Sequence, residues 1–198
     1  MALAFSRPYS SASLTAFFSP FPDSSQDLAR GRIELAEDYQ IVDLTLTLPR
    51  NPRSPYTPRE VASIRWIVLH HSAGPADQTP ESIARFHIET RGWSGIAYNY
   101  LIYEDGRIFA ARPLDVVPAC VKGHNEESLC ICFVGDFSTR PPSPTAIAAG
   151  VWLTHLLRNA YTQIVGVRGH REMPDQATPC PGAAFDLVGY RAQAGMTA

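Results

Sequence analysis

Short apolar runs alternate with helix-like stretches between Ile64 and Tyr190, and this constrains the chain more than any other feature. The run IRWIVL at residues 64–69 is apolar and short, which reads as a buried strand. It ends in His70-His71-Ser72, polar residues at the strand end where α/β sheets usually build their sites. Thr79 is a good helix N-cap, Pro80 suits the first helical position, and Glu81 falls in the first turn. Ile83, Phe86 and His87 then share a face, and the glycine of Arg91-Gly92-Trp93 closes the helix. AYNYLIY and RIFAA, joined by Glu104-Asp105-Gly106, predict a hairpin. SLCICFVGDF predicts a further strand. Ser143-Pro144 opens a helix through Asn159, with Ile147, Val151, Leu153, Leu156 and Leu157 as its apolar face. QIVGV reads as a short strand, and residues 183–191 as a last helix. Strands alternating with helices predict an α/β domain, a mixed central β-sheet flanked by helices.

Ahead of this block, YQIVDLTLTL at residues 39–48 alternates like a half-buried strand. Pro49, Pro52, Pro55 and Pro58 follow at every third position, which excludes helix and predicts an extended strap. Ser, Pro and Phe dominate residues 1–26, the composition of a poorly ordered leader. Arg7 and Pro8 interrupt its apolar residues, so no secretory signal is read there and a cytoplasmic chain is expected. No stretch approaches the roughly 20 apolar residues of a membrane span. A formal net charge of −2 argues against nucleic acid as a partner. Cys120, Cys130, Cys132 and Cys180 are expected as free thiols, given the chain's length and the lack of an export signal. Cys130 and Cys132 share one face of a strand and read as packing residues. His87 and His155 fall within helices and read as structural.

Three residues of zinc-binding type, His70, His170 and Cys180, sit in polar turns beside buried strands. A catalytic zinc site needs three such ligands and an open position. Spacing alone leaves this open, and also leaves open a thiol hydrolase with Cys180 as nucleophile and His170 as its base. That second reading gives His70 and Tyr98 no role.

Five motifs in order carry more weight: VLHHSAG, RGWSGIAYNY, the DGRIF hairpin, KGHNEESLCICFVGDF, and VRGHRE with TPCPG. With them the chain resembles the N-acetylmuramoyl-L-alanine amidase type 2 family, which takes in phage T7-like lysozymes and peptidoglycan recognition proteins. The resemblance implies one catalytic Zn2+ held by His70, His170 and Cys180, while His71 lines the pocket or packs. It implies hydrolysis of the amide between the MurNAc lactyl group and L-Ala of peptidoglycan, with Tyr98 and Thr178 donating hydrogen bonds to the developing oxyanion. Glu172 reads as a surface or supporting residue rather than the base. Trp93 and Asn125 match substrate-lining positions. Cys120 stands where the family often carries a substrate-contacting histidine, so it is either a tolerated change or one that alters muropeptide binding.

The division expected from this is a leader over 1–26, an extension with the strap over 27–63, a catalytic domain over 64–191 and a tail over 192–198. The chain is expected to be a monomer that meets peptidoglycan or muropeptides, reaching the wall after release or delivery. A non-catalytic peptidoglycan-binding module and a cytoplasmic anhydro-muropeptide recycling amidase are the alternatives. Phage lysis enzyme and delivered toxin both fit the amidase reading.

Overall fold

Strand β2 (Trp66–His71) is apolar through Leu69 and lies between two parallel neighbours, β5 (Ser128–Phe133) and β6 (Gly166–Gly169). The computed structural model describes residues 39–198, so the expected leader over 1–26 lies outside the described residues. Beyond β5 the sheet continues through parallel β3 (Tyr100–Ile102), antiparallel β4 (Ile108–Ala110) and, at the edge, β1 (Ile41–Asp43). The order is β1-β4-β3-β5-β2-β6, the mixed sheet that the sequence predicts. The β3–β4 connection is the expected hairpin, with Gly106 at a φ of 87° that a residue with a Cβ adopts only under strain.

Alternation along the strands assigns the two faces. Ile67 and Leu69 of β2 and Leu129, Ile131 and Phe133 of β5 pack under α2 (Pro144–Ala160) and α3 (Leu187–Ala194). The other face of β5, Cys130 and Cys132, turns with Val68 and His70 toward the side that carries α1 (Pro80–Glu89). Helix α1 starts as its sequence dictates: the Thr79 hydroxyl accepts from the Ser82 amide at 3.1 Å, and Pro80 opens the first turn.

Helix α2 spans its expected length, but its fully buried stripe is smaller than predicted. Ala146, Ala149, Gly150, Leu153, Thr154 and Leu157 face the sheet, while Ile147, Val151 and Leu156 are only partly buried. The helix lies too close for large side chains, since a Cβ on Gly150 would sit 2.6 Å from the Phe133 ring. His155 is exposed on the outer face of this helix.

Four local expectations need correction. The strand expected over 39–48 shrinks to Ile41–Asp43, because the Asp43 carboxylate accepts from both the amide and the hydroxyl of Thr45 and turns the chain. The strand read in QIVGV falls on Gly166–Gly169. The last helix starts at Leu187 rather than 183, capped by Asp186, because the Ala184 amide is already bonded to the Phe137 carbonyl. The fourth concerns the cysteines. Cys120 and Cys130 form a disulfide across ten residues of sequence, with Cα atoms 6.6 Å apart, and only Cys132 and Cys180 are free. Nothing in the spacing reveals that the loop after Ala119 folds back over β5.

The proline strap is not extended throughout: it turns after Asn51, whose carbonyl accepts from the Ser54 amide at 3.2 Å, and it bridges Arg50 to Gly95 and Pro58 to Val116. Buried Arg112 stacks 4.0 Å from the Tyr56 ring and donates to the Ile96 and Val117 carbonyls, which fastens the strap to the domain. At the other end of the chain, the Val167 amide donates to the Thr197 carbonyl. Among the described residues no helix is long and apolar enough to cross a membrane.

Candidate metal centre

Parallel pairing of β5, β2 and β6 brings their carboxyl ends to one edge of the sheet, and the polar residues that follow each strand converge there. His70 is the fifth residue of β2, His170 follows β6 directly, and Cys180 lies ten residues on in a loop. Their donor atoms all lie within 4.8 Å of one another. The Cys180 Sγ to His70 Nδ1 distance is 3.7 Å. A tetrahedral zinc ion, with bonds of about 2.3 Å to sulfur and 2.0 Å to nitrogen, needs those atoms about 3.5 Å apart. The Cys180–His70 pair therefore sits at the spacing a zinc ion needs, and a His170 nitrogen lies within 4.8 Å of both.

Backbone bonds hold the Cys180 loop. Arg171 contributes most: its amide donates to the Cys180 carbonyl at 2.9 Å and its guanidinium to the Gly182 carbonyl at 2.7 Å. The Thr178 hydroxyl accepts from the Cys180 amide at 3.2 Å, which leaves its own proton to donate elsewhere. Glu172 accepts from the Gly169 amide and pairs with Arg191, each within 2.8 Å. It braces the turn that carries His170, the supporting role expected for it.

Electrostatics favour metal-ready histidines. Burial, then the neighbouring His170 and His71, hold His70 well below the ordinary histidine value, so both nitrogens cannot be protonated at neutral pH. Its Nε2 is buried without a partner. Burial also lowers His170, opposed by its bond to Gln176. The Gln176 amide nitrogen donates to the Lys122 and Pro174 carbonyls, so its Oε1 is the atom that meets His170 Nε2, at 3.2 Å. His170 therefore donates from Nε2, and Nδ1 keeps the free lone pair. Sequence reasoning missed Gln176, because nothing in its surroundings marks it as a ligand's partner.

Burial pushes the Cys180 thiol up to about 11, partly offset by the His71 amide that donates to it. His71 contributes this backbone group and not its side chain. Being next to His70 on a strand, it points to the opposite face, where its ring packs on Phe137 and its Nδ1 accepts from the Phe137 amide at 3.3 Å. Of the two roles expected for His71, it packs and does not line the cleft.

Tyr98 stands beside the triad, its ring centroid 5.3 Å from that of His70. Burial, then Cys132 and Cys180, raise its phenol well above the usual value, so it stays a proton donor. Tyr98 and Trp93 line an adjoining cleft of about 340 Å³ with Ser72, Gln78, Phe86 and Arg91. Asn125 is otherwise engaged: its Oδ1 accepts from the amides of Cys120 and Val121 at 2.9 and 2.8 Å, shaping the loop that carries the disulfide.

Fold and site together define an α/β protein with a three-donor cleft at the carboxyl ends of its parallel strands. The chain belongs to the N-acetylmuramoyl-L-alanine amidase family, whose profile matches residues 60–183. It is 31% identical over 131 residues to peptidoglycan-recognition protein SC2 of Drosophila melanogaster, covering 60% of this chain and 68% of that one. Among solved structures it resembles the N-acetylmuramoyl-L-alanine amidase LysC from Clostridium intestinale, with 28% identity and a TM-score of 0.68. That match covers 80% of this chain and 99% of the other. The Ph2119 endolysin of a Thermus scotoductus bacteriophage is 34% identical with a TM-score of 0.62, covering 78% and 99%.

Proposed function

We propose that the protein is a zinc-dependent N-acetylmuramoyl-L-alanine amidase that cuts the lactyl–L-Ala amide of peptidoglycan. The convergence of His70, His170 and Cys180 at zinc-compatible spacing carries this reading. Membership of the amidase family and likeness to an amidase and an endolysin support it. Zinc held by these three residues supplies a Lewis acid that activates water and polarises the amide carbonyl.

The remaining work falls to the chain itself. Tyr98, kept protonated by burial, donates to the carbonyl oxygen as negative charge develops on it. The Thr178 hydroxyl is free to donate because it accepts from the Cys180 amide. His71 and Arg171 hold Cys180 in place through backbone bonds. Trp93 and the cleft next to Tyr98 receive the substrate. A thiol hydrolase fits less well, since a thiol raised to about 11 supplies little thiolate at neutral pH unless a cation holds it deprotonated. The disulfide persists best in an oxidising compartment, which suits action at the wall rather than in the cytoplasm.

Chelation tests the reading. Phenanthroline or EDTA abolishes release of stem peptides from purified sacculi, and added zinc restores it. Full activity in chelator, together with inactivation by iodoacetamide, sinks the zinc amidase in favour of the thiol enzyme.

A further inference from the structure

We propose that reduction of the Cys120–Cys130 disulfide turns the open three-donor site into a sulfur-rich metal site built on His70, Cys120 and Cys130. The inference rests on the zinc reading above and concerns what governs that site. A ring nitrogen of His70 and the sulfurs of Cys120 and Cys130 lie within 4.8 Å of one another, the same bound that holds for His70, His170 and Cys180. The two donor sets share His70, whose buried Nε2 has no partner. Because His70 belongs to both sets, the two compete for its ring.

The backbone keeps the two sulfurs together after reduction. Cys120 is held through its amide by Asn125, and Cys130 is held in β5 with its amide bonded to Asn99 Oδ1 at 2.9 Å. The freed sulfurs need only turn apart to ordinary contact. That is also the spacing of about 3.8 Å that two thiolates take in a tetrahedral zinc site. Cys120 is 9% exposed and Cys130 fully buried, so a reductant meets Cys120 first. The thiolate of a dithiol attacks Cys120 Sγ and releases Cys130 as thiolate. The second thiol of the reductant then closes its own disulfide and releases Cys120. Two electrons and two protons pass to the pair, and each thiol gives up its proton on binding metal.

The consequence is a change in coordination. While the disulfide is intact, the protein offers three donors and leaves a fourth position for the reacting water. With Cys120 and Cys130 bound, His70 and either His170 or Cys180 complete a four-coordinate shell, as in structural zinc sites, which leaves no position for water and shuts off hydrolysis.

The test compares the zinc-loaded full chain before and after treatment with a trialkylphosphine, which reduces the disulfide by taking oxygen from water and leaves no competing thiol. X-ray absorption at the zinc edge counts the sulfur donors. One sulfur per zinc is expected in the oxidised protein and two or three after reduction, with amide release falling at least tenfold and both changes reversing on reoxidation. The Cys120→Ser/Cys130→Ser double variant is expected to show one sulfur in either condition. The wild-type comparison needs no substitution, so it stands even if the double variant does not fold. One sulfur in the reduced wild type, with two new thiols confirmed by titration, overturns the inference and leaves the zinc amidase intact. An oxidised protein that binds no zinc overturns the amidase reading instead. In that case the reduced protein sustains the second donor set if it binds zinc through two sulfurs, and overturns it if it binds none.

Discussion

Acid should weaken this fold through His87, and the size of the effect follows from where that ring sits. His87 lies on α1 and is 5% exposed; its Nδ1 accepts from the Ala97 amide at 3.2 Å, and its ring stacks on Trp93 with centroids 5.0 Å apart. Burial, then the charges of Arg91 and Arg112, lower its pKa to about 4. In the unfolded chain the value is about 6.5. The folded value is the lower one, so between these limits the unfolded state binds more protons. Stability is full above about pH 6.5 and is lost as pH falls through that window. At pH 4.5 the loss amounts to about 2.5 kcal/mol from this residue. Urea unfolding of metal-free wild type and His87→Gln at pH 7.5 and 4.5 isolates it. Glutamine can still accept from Ala97 but does not titrate, and the other buried histidines cancel because both proteins carry them. The stability difference should move by about 2.5 kcal/mol in favour of the variant on acidification. A movement under about 0.5 kcal/mol, within the range of ordinary surface changes, would show that His87 is not held neutral.

Three substitutions probe the site and its scaffold. Cys180→Ala should lower zinc affinity more than about 100-fold, since losing a ligand costs more than losing a ligand's hydrogen-bond partner; metal analysis after dialysis reads this, and full zinc retention would remove Cys180 from the donor set. Tyr98→Phe should keep its zinc while kcat falls about 10²- to 10³-fold, the usual loss of one oxyanion donor; turnover at the parental rate excludes that role. Arg59→Met should cost about 1–3 kcal/mol in a denaturant titration, the scale for leaving a buried acceptor unpaired. Arg59 is 7% exposed and donates to the carbonyls of Leu114, Asn125, Glu126 and Ser128, so its loss leaves buried acceptors unpaired.

Much of this protein was legible in its residues because local chemistry decided it. The Thr79-Pro80 and Ser143-Pro144 starts, the Asp105-Gly106 turn and the buried runs of β2 and β5 depend on neighbours within a few positions. The three donor residues were visible as types, and the ordered motifs around them pointed to the amidase family that the profile match shows. Their meeting was not visible from spacing, because His70 and His170 come together only through the parallel pairing of β2 and β6. The same holds for what surrounds them. The bond between Gln176 and His170, the His71 amide on Cys180 and the disulfide beside His70 all join positions that no short-range pattern links. The run of apolar strands and capped helices determined the layers. Register and loop closure, which depend on long-range packing, decided which polar residues face one another across the cleft.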